Sequence, residues 1–270
     1  MREQTTMRWS ADDIAAAEAT LARVVPGEAT SVGVLTDEEV VVLDGLQHEQ
    51  LVPTPWLDAQ EGADRTLVGR VALRSLLARG LVVPGGGDGT DAGGGEDVSI
   101  EAVPEITGPL VLRRTAGAIL SAERVTSGGR HWVFAYVHED GCVLEEEVSR
   151  SGHHSFVVYP LDHLGERLVP FLDPQRSAVL DGRERRLDAA ELRAGAPTTP
   201  GLATAVAATT LSAVRAGSDE LVNVTVYAGP DGVFALRGAE RDASGAPAAY
   251  TLAELGPATL AALPGSLVGA

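Results

Sequence analysis

The chain contains no lysine; its 21 cationic side chains are all arginine. That excludes the phosphate-binding lysine of a P-loop, Schiff-base chemistry and a lysine general base. A single cysteine, Cys142, excludes an intrachain disulfide and any multi-cysteine metal site. No apolar run approaches the roughly 20 residues of a membrane span, and the opening "MREQTTMRWSADD" lacks the apolar core of a secretory signal. Together these predict a cytoplasmic protein with no membrane span. Cations are also few against 38 acidic residues, giving a net charge of −17. Such a surface repels phosphate backbones and predicts no nucleic-acid partner. What is present is an ordinary globular composition: 44% hydrophobic over 270 residues, enough for a real core in one large or two small domains.

The most informative feature is an internal repeat. "LSAERVTSGGRHWVFAYVHEDG", residues 120–141, recurs as "LSAVRAGSDELVNVTVYAGPDG", residues 211–232, an ungapped offset of 91. Nine of the 22 aligned pairs are identical, among them Leu120/Leu211, Ser121/Ser212, Tyr136/Tyr227 and Gly141/Gly232; chance in this composition gives roughly two. The same offset also matches Thr107/Thr198, Pro109/Pro200 and Ala116/Ala207 upstream, and Arg150/Arg241, Tyr159/Tyr250, Leu161/Leu252, Leu164/Leu255 and Gly165/Gly256 downstream.

Each copy reads as helix, strand, turn, strand, loop, strand, helix. The helices are expected at 110–125 and 161–172 in the first copy, and at 201–216 and 252–263 in the second. The strands are expected at 131–138, 142–149 and 154–159, then at 221–228, 233–238 and 247–251. "EDG" and "PDG" are hairpin-turn signals. A period this long is not a solenoid. It predicts an α+β fold of two similar α/β halves, antiparallel strands with flanking helices, related by a pseudo-two-fold.

Ahead of the repeat lies a mainly helical region. Ser10 and Asp13 are spaced as a capping box. "TSVGVL" reads as a short strand, Thr36 as the cap of a two-turn helix, and 61–83 as a longer helix closed by Gly80. The tract "PGGGDGTDAGGGED" reads as a linker or loop. The expected organisation is therefore 1–83 helical, 84–98 linker, 99–180 first repeat and 181–270 second repeat, with the halves packed as one domain.

Candidate chemistry is sparse. "GGDGTD" fits the start of one calcium-binding nonapeptide, but a lone copy cannot complete the coordination. His153 and His154 are adjacent on a strand and point to opposite faces, so they do not chelate one ion. His131, His138 and His163 have no histidine counterparts in the second copy. Glu145, Glu146 and Glu147 are consecutive and read as a solvated or edge-strand charge run. Cys142 has no histidine placed beside it, and no nucleophile-elbow or dinucleotide fingerprint is present. The expectation is no catalytic residue, no metal and no cofactor.

The leading helices, "ALRSLLARGLVV" followed by a Gly/Asp tract, and the two halves ending in "SFVVYPLDHLGERLVPFL" and "AAYTLAELGPATLAAL" resemble the EspG family of type VII (ESX) secretion-associated proteins of actinobacteria. The resemblance implies a non-enzymatic cytoplasmic chaperone with quasi-two-fold symmetry. Such a protein binds the exposed apolar tip of a helical secretion substrate through its sheet and C-terminal helices. Carried onto this sequence, it points to Val143, Leu144 and Glu145, the loop Ser149–His154 with His153 and His154, and Phe234 and Leu236. Two other readings stand beside it. One is a small-molecule or enzymatic pocket at the pseudo-dyad, lined by Tyr136, Tyr227 and histidines. The other, which the acidic total opposes, is a winged-helix regulator reading DNA with Arg70, Arg74 and Arg79.

Overall fold

A computed structural model describes residues 9–46, 50–85, 100–193, 201–218, 220–241 and 247–269. The chain runs α1 (Ala11–Leu21), β1 (Thr30–Thr36), α2 (Asp37–Asp44), α3 (Pro55–Asp58), α4 (Arg65–Ala78), β2 (Val82–Pro84), β3 (Ile100–Ala102) and α5 (Pro104–Thr115). The first repeat follows as β4 (Ala118–Thr126), β5 (Gly129–Val137), β6 (Cys142–Val148), β7 (His153–Pro160) and α6 (Leu164–Leu172). The second comprises β8 (Arg185–Asp188), α7 (Ala189–Arg193), β9 (Ala207–Arg215), β10 (Val222–Gly229), β11 (Gly232–Arg241), β12 (Pro247–Glu254) and α8 (Pro257–Val268). From residue 86 to residue 97, the Gly/Asp-rich tract lies outside the described residues.

The capping box at Ser10 forms, and the Thr36 cap turns out to be a box as well. The Ser10 hydroxyl accepts from the Asp13 amide while the Asp13 carboxylate accepts from the Ser10 amide, and Thr36 and Glu39 do the same for α2. Asp64 caps α4 by accepting from the amides of Thr66 and Leu67.

The fold is α+β around one ten-stranded antiparallel sheet, ordered β1-β7-β6-β5-β4-β9-β10-β11-β12-β8. From β7 to β12 the order is palindromic about the β4–β9 pair, and its register carries the symmetry. Ser121 faces Ser212, and each other pair maps onto its counterpart at the offset of 91: Leu120↔Ala213 with Ala122↔Leu211, Ala118↔Arg215 with Arg124↔Thr209. The repeat is thus two hairpin units joined through their first strands.

Two expected helices are corrected. Residues 118–126 and 207–215 are the paired strands β4 and β9; the helix before the first of them ends at Thr115, and Ala116 leaves helical geometry with ψ 140°. The reason is a period-two pattern: Ala118, Leu120 and Ala122 are buried in β4, and Ala207, Thr209, Leu211 and Ala213 in β9. Residues 252–254, expected to begin the last helix, complete β12.

The ungapped offset also has a structural limit. Five residues separate Val137 from Val143 in the first hairpin, but four separate Ala228 from Val233 in the second. One residue fewer flips which face a sequence match occupies. Phe234 therefore corresponds in place to Leu144 rather than to Val143.

One face of the sheet carries α6 and α8. Leu164, Leu168, Leu172, Leu260, Leu263 and Leu267 pack on Leu120, Val133, Leu211, Val224 and Val226 in a core shared by both halves. Gly165 lets the two helices meet, for a Cβ there would fall on the Ala261 carbonyl oxygen. On the opposite face, the N-terminal layer of α1, α2, α4 and α5 covers the first half. Ala17, Val40, Leu76, Ile106, Val111 and Leu112 pack on Tyr136, Leu144, Phe156 and Val158.

Candidate partner-binding face and buried polar network

Strand alternation fixes what each face of the second half presents. Val224, Val226, Ala228, Val233 and Ala235 enter the core beneath the C-terminal helices. Thr225, Tyr227, Phe234 and Leu236 therefore point the other way. On that face Thr210 Oγ1 and Thr225 Oγ1 lie 3.4 Å apart, and Tyr227 sits near enough to Tyr250 for burial, then Tyr250, to raise its phenol pKa. Thr210, Thr225, Tyr227, Leu236 and Tyr250 are half-buried, and Val125 and Val214 at the dyad are exposed. Phe234 is buried against Gly201, whose φ of +90° and lack of a Cβ admit the ring.

This face is the pseudo-symmetric match of the one the N-terminal helices cover. Thr225 stands where Phe134 stands, Tyr227 where Tyr136 stands, and Phe234 where Leu144 stands. Among the described residues, no helical layer comparable to α1–α5 lies over it.

The first half's face closes over a chain of charge. His154 on β7 is fully buried, with Nε2 2.8 Å from Asp37 Oδ1 and Nδ1 2.7 Å from Glu146 Oε1. Glu146 Oε2 lies 2.9 Å from Arg113 Nε in an ion pair and accepts from the Tyr136 hydroxyl at 2.8 Å. Arg113 Nη1 reaches Asp44 Oδ2 at 3.1 Å, and Arg114 Nη2 reaches Asp44 Oδ1 at 3.3 Å. Asp37 Oδ2 accepts from the amides of Trp56 and Leu57 at 2.7 and 2.9 Å, which seats α3. Gly152 permits this approach: its φ is +71°, and a Cβ there would meet Trp56 and Asp37.

The shifts follow the geometry. Burial lowers the His154 pKa, but hydrogen bonds to Asp37 and Glu146 outweigh it and raise it above the usual histidine value. Burial pushes the Glu146 carboxyl up, and Arg113, then His154, pull it below the usual range. Burial works against the Arg113 charge, yet Glu146, Tyr136 and Asp44 leave its pKa raised. Asp37, His154, Glu146 and Arg113 are shut away from solvent and order the fold, whereas Asp44 and Arg114 at the end of the row reach the wall of a cavity.

The other two consecutive glutamates point to the opposite face. Buried Glu145 accepts from the Tyr159 hydroxyl at 2.8 Å and pairs with Arg167, and Glu147 lies 3.0 Å from His131 Nε2. Arg124 stacks over Phe171 at 4.2 Å from the ring centroid. The expected edge-strand charge run is thus corrected. The strand carrying it, β6, lies between β7 and β5, and Glu145 and Glu146 are buried and paired.

The residues that sequence reading proposed for a partner surface separate accordingly. Val143 and Leu144 are fully buried on opposite faces, and Glu145 and His154 are bonded internally. His153 is exposed and bonded to Ser149 and Ser151. Phe234 and Leu236 point to the open face, Leu236 half-buried and Phe234 buried against Gly201. Sequence reading missed Asp37, Asp44 and Arg113, whose partners stand far away in the chain. It missed Thr210 and Thr225 as well, which only the strand register identifies.

The residues named for the other two readings are also placed. Tyr136 is buried and bonded, while Tyr227 is half-buried in the other half. A cavity of about 540 Å³ lies between α1, α5 and β3, lined by Trp9, Asp12, Leu43, Leu110 and Arg114, away from the pseudo-dyad. On α4, Arg70 and Arg74 are interrupted by exposed Leu67 and Val71. Arg79 is held by Glu39 at 2.7 Å. Among the described residues no cluster of three or more metal-ligating side chains occurs, and no helix is long and apolar enough to cross a membrane.

The fold and its face define an α+β protein with a large antiparallel sheet. Among solved structures the chain is similar to one in the structure of the Mycobacterium tuberculosis type VII secretion system chaperone EspG5 in complex with the PE25-PPE41 dimer. The TM-score is 0.45 and the identity 10%, over 73% of this chain and 83% of that one. A likeness at that distance assigns no role to any residue. No family model and no curated protein matches the chain.

Proposed function

We propose that the chain binds another protein, taking a helical segment of its partner on the uncovered face of the second half. One observation carries the reading. On the first half helices close this sheet face over Tyr136 and Glu146, which are buried, whereas the matching Tyr227 and Leu236 of the second half remain half-open to solvent. The first half shows what such a face accepts, namely helices presenting Val40, Leu76, Ile106 and Leu112. An amphipathic helix laid on a receptive surface is a recurring recognition mode.

The partner class we propose is a helical type VII secretion substrate, held in the cytoplasm by a chaperone. The sequence pattern that resembles the EspG family supports this, as does the chain's net charge of −17, which favours solubility.

The test is site-specific photo-crosslinking in the native host, with a photoreactive residue in place of Thr225 or, as a control, of exposed Glu166 on α6. The expected result is an adduct at position 225 with a small helical secreted protein, absent at position 166 and abolished by Leu236→Glu in a chain whose circular dichroism is unchanged. No adduct at position 225, equal adducts at both positions, or an adduct with a protein lacking helices would overturn the proposal.

A further inference from the structure

Neutral imidazole has one N–H, yet both ring nitrogens of His154 lie within 2.8 Å of carboxylate oxygens that only accept. With Asp37 and Glu146 ionised, each contact is a hydrogen bond only if both nitrogens donate, which requires the imidazolium. The charges then alternate along the buried chain: Asp37 negative, His154 positive, Glu146 negative, Arg113 positive, Asp44 negative and Arg114 positive. Tyr136 from β5 donates to the centre of this row. Removing the His154 proton turns one bond into a lone pair facing a carboxylate and leaves an uncompensated buried charge, the costly case for such networks.

We propose that protonated His154 is a clamp fastening the N-terminal helical layer to the sheet, and that raising the pH through its titration loosens the hold of α2 and α3 on it. The two contacts differ in what else holds them. Glu146 sits on the same sheet as His154 and keeps the Arg113 charge beside it and Tyr136 as a donor. Asp37 belongs to the layer, and among the described residues its other side-chain bonds go to the Trp56 and Leu57 amides. The weak link is therefore Asp37.

The direction with pH follows from linkage. Histidine in an unfolded or opened chain titrates near ~6.5, and in the folded chain higher. The clamp is fully present below ~6.5 and is lost as pH rises through the folded value. Glu146, shifted the other way, contributes above the ordinary carboxylate value and fails as pH falls through its own. The layer is held best between these limits. None of this depends on the identity of a partner.

Two measurements on the full wild-type chain test the clamp. Nitrogen-15 NMR of assigned histidines should show both His154 ring nitrogens protonated at pH 6.5, with a titration midpoint above it. Opening constants for the Trp56 and Leu57 amides, from hydrogen exchange corrected for intrinsic chemistry, should rise towards tenfold per pH unit between ~6.5 and that midpoint. Core amides of β5 should not follow. A neutral His154 at pH 6.5, or opening constants that stay flat from pH 6.5 to well above the midpoint, would overturn the proposal.

Discussion

Replacing Arg113 by methionine is expected to lower the stability of the chain by about 3–5 kcal/mol, the usual cost of removing one partner from a buried ion network. Arg113 lies on α5, and its guanidinium is wholly buried between Glu146 of β6 and Asp44 at the end of α2. Without it, Glu146 keeps His154 as its cation beside the Tyr136 hydroxyl, and Asp44 keeps Arg114. Methionine fills much of the volume, so the loss is electrostatic rather than a cavity. The measurement is a urea denaturation curve, read as a fall in midpoint at unchanged slope. A loss below about 1 kcal/mol would put this residue in the class of exposed pairs and contradict the buried network.

The second large effect is at Gly165. Substitution by alanine puts a methyl group on the Ala261 carbonyl oxygen, backbone that cannot swing aside as a side chain can. The two C-terminal helices must separate, and overpacking of this kind costs roughly 1–3 kcal/mol. Both helices cap the core shared by the halves, through Leu164, Leu168, Leu260 and Leu263, so the loss should appear as one cooperative transition at lower midpoint. Gly33→Ala is the control. It sits on β1 with open space where its Cβ would go and should stay within ~0.5 kcal/mol of the parent, as surface changes usually do. Equal stability of the two variants would show that α6 and α8 do not meet as described.

How much of this the amino-acid sequence reveals depends on how local the cause is. The caps at Ser10 and Thr36 act over three residues and are visible directly. The hairpin turns at Gly141 and Gly232 are local as well, and the repeat at 91 residues shows two similar halves, though not that they pair through β4 and β9. The strands β4 and β9 were hidden because alanine, leucine, serine and arginine are good or tolerable helix residues. The signal was the alternation Ala118, Leu120, Ala122, repeated as Leu211, Ala213.

The consecutive glutamates misled because charge on a strand usually marks an edge. Val143, Leu144 and Val148 around them mark an interior strand, but the cations that pay for their burial come from α5 and α6. No spacing rule connects Glu146 to Arg113 or His154 to Asp37. The uncovered face is also invisible locally, since Thr225 and Leu236 acquire meaning only when the register sets them opposite the covered positions of the first half.

That contrast between a closed and an open half can be measured directly with the four tyrosines, two in each half. Hydroxyl-radical footprinting of the free chain should oxidise Tyr227 and Tyr250, which are half-buried on the open face, and spare Tyr136 and Tyr159, which are buried. Protection of all four would mean that the second half is closed like the first, and the proposed binding face would not exist.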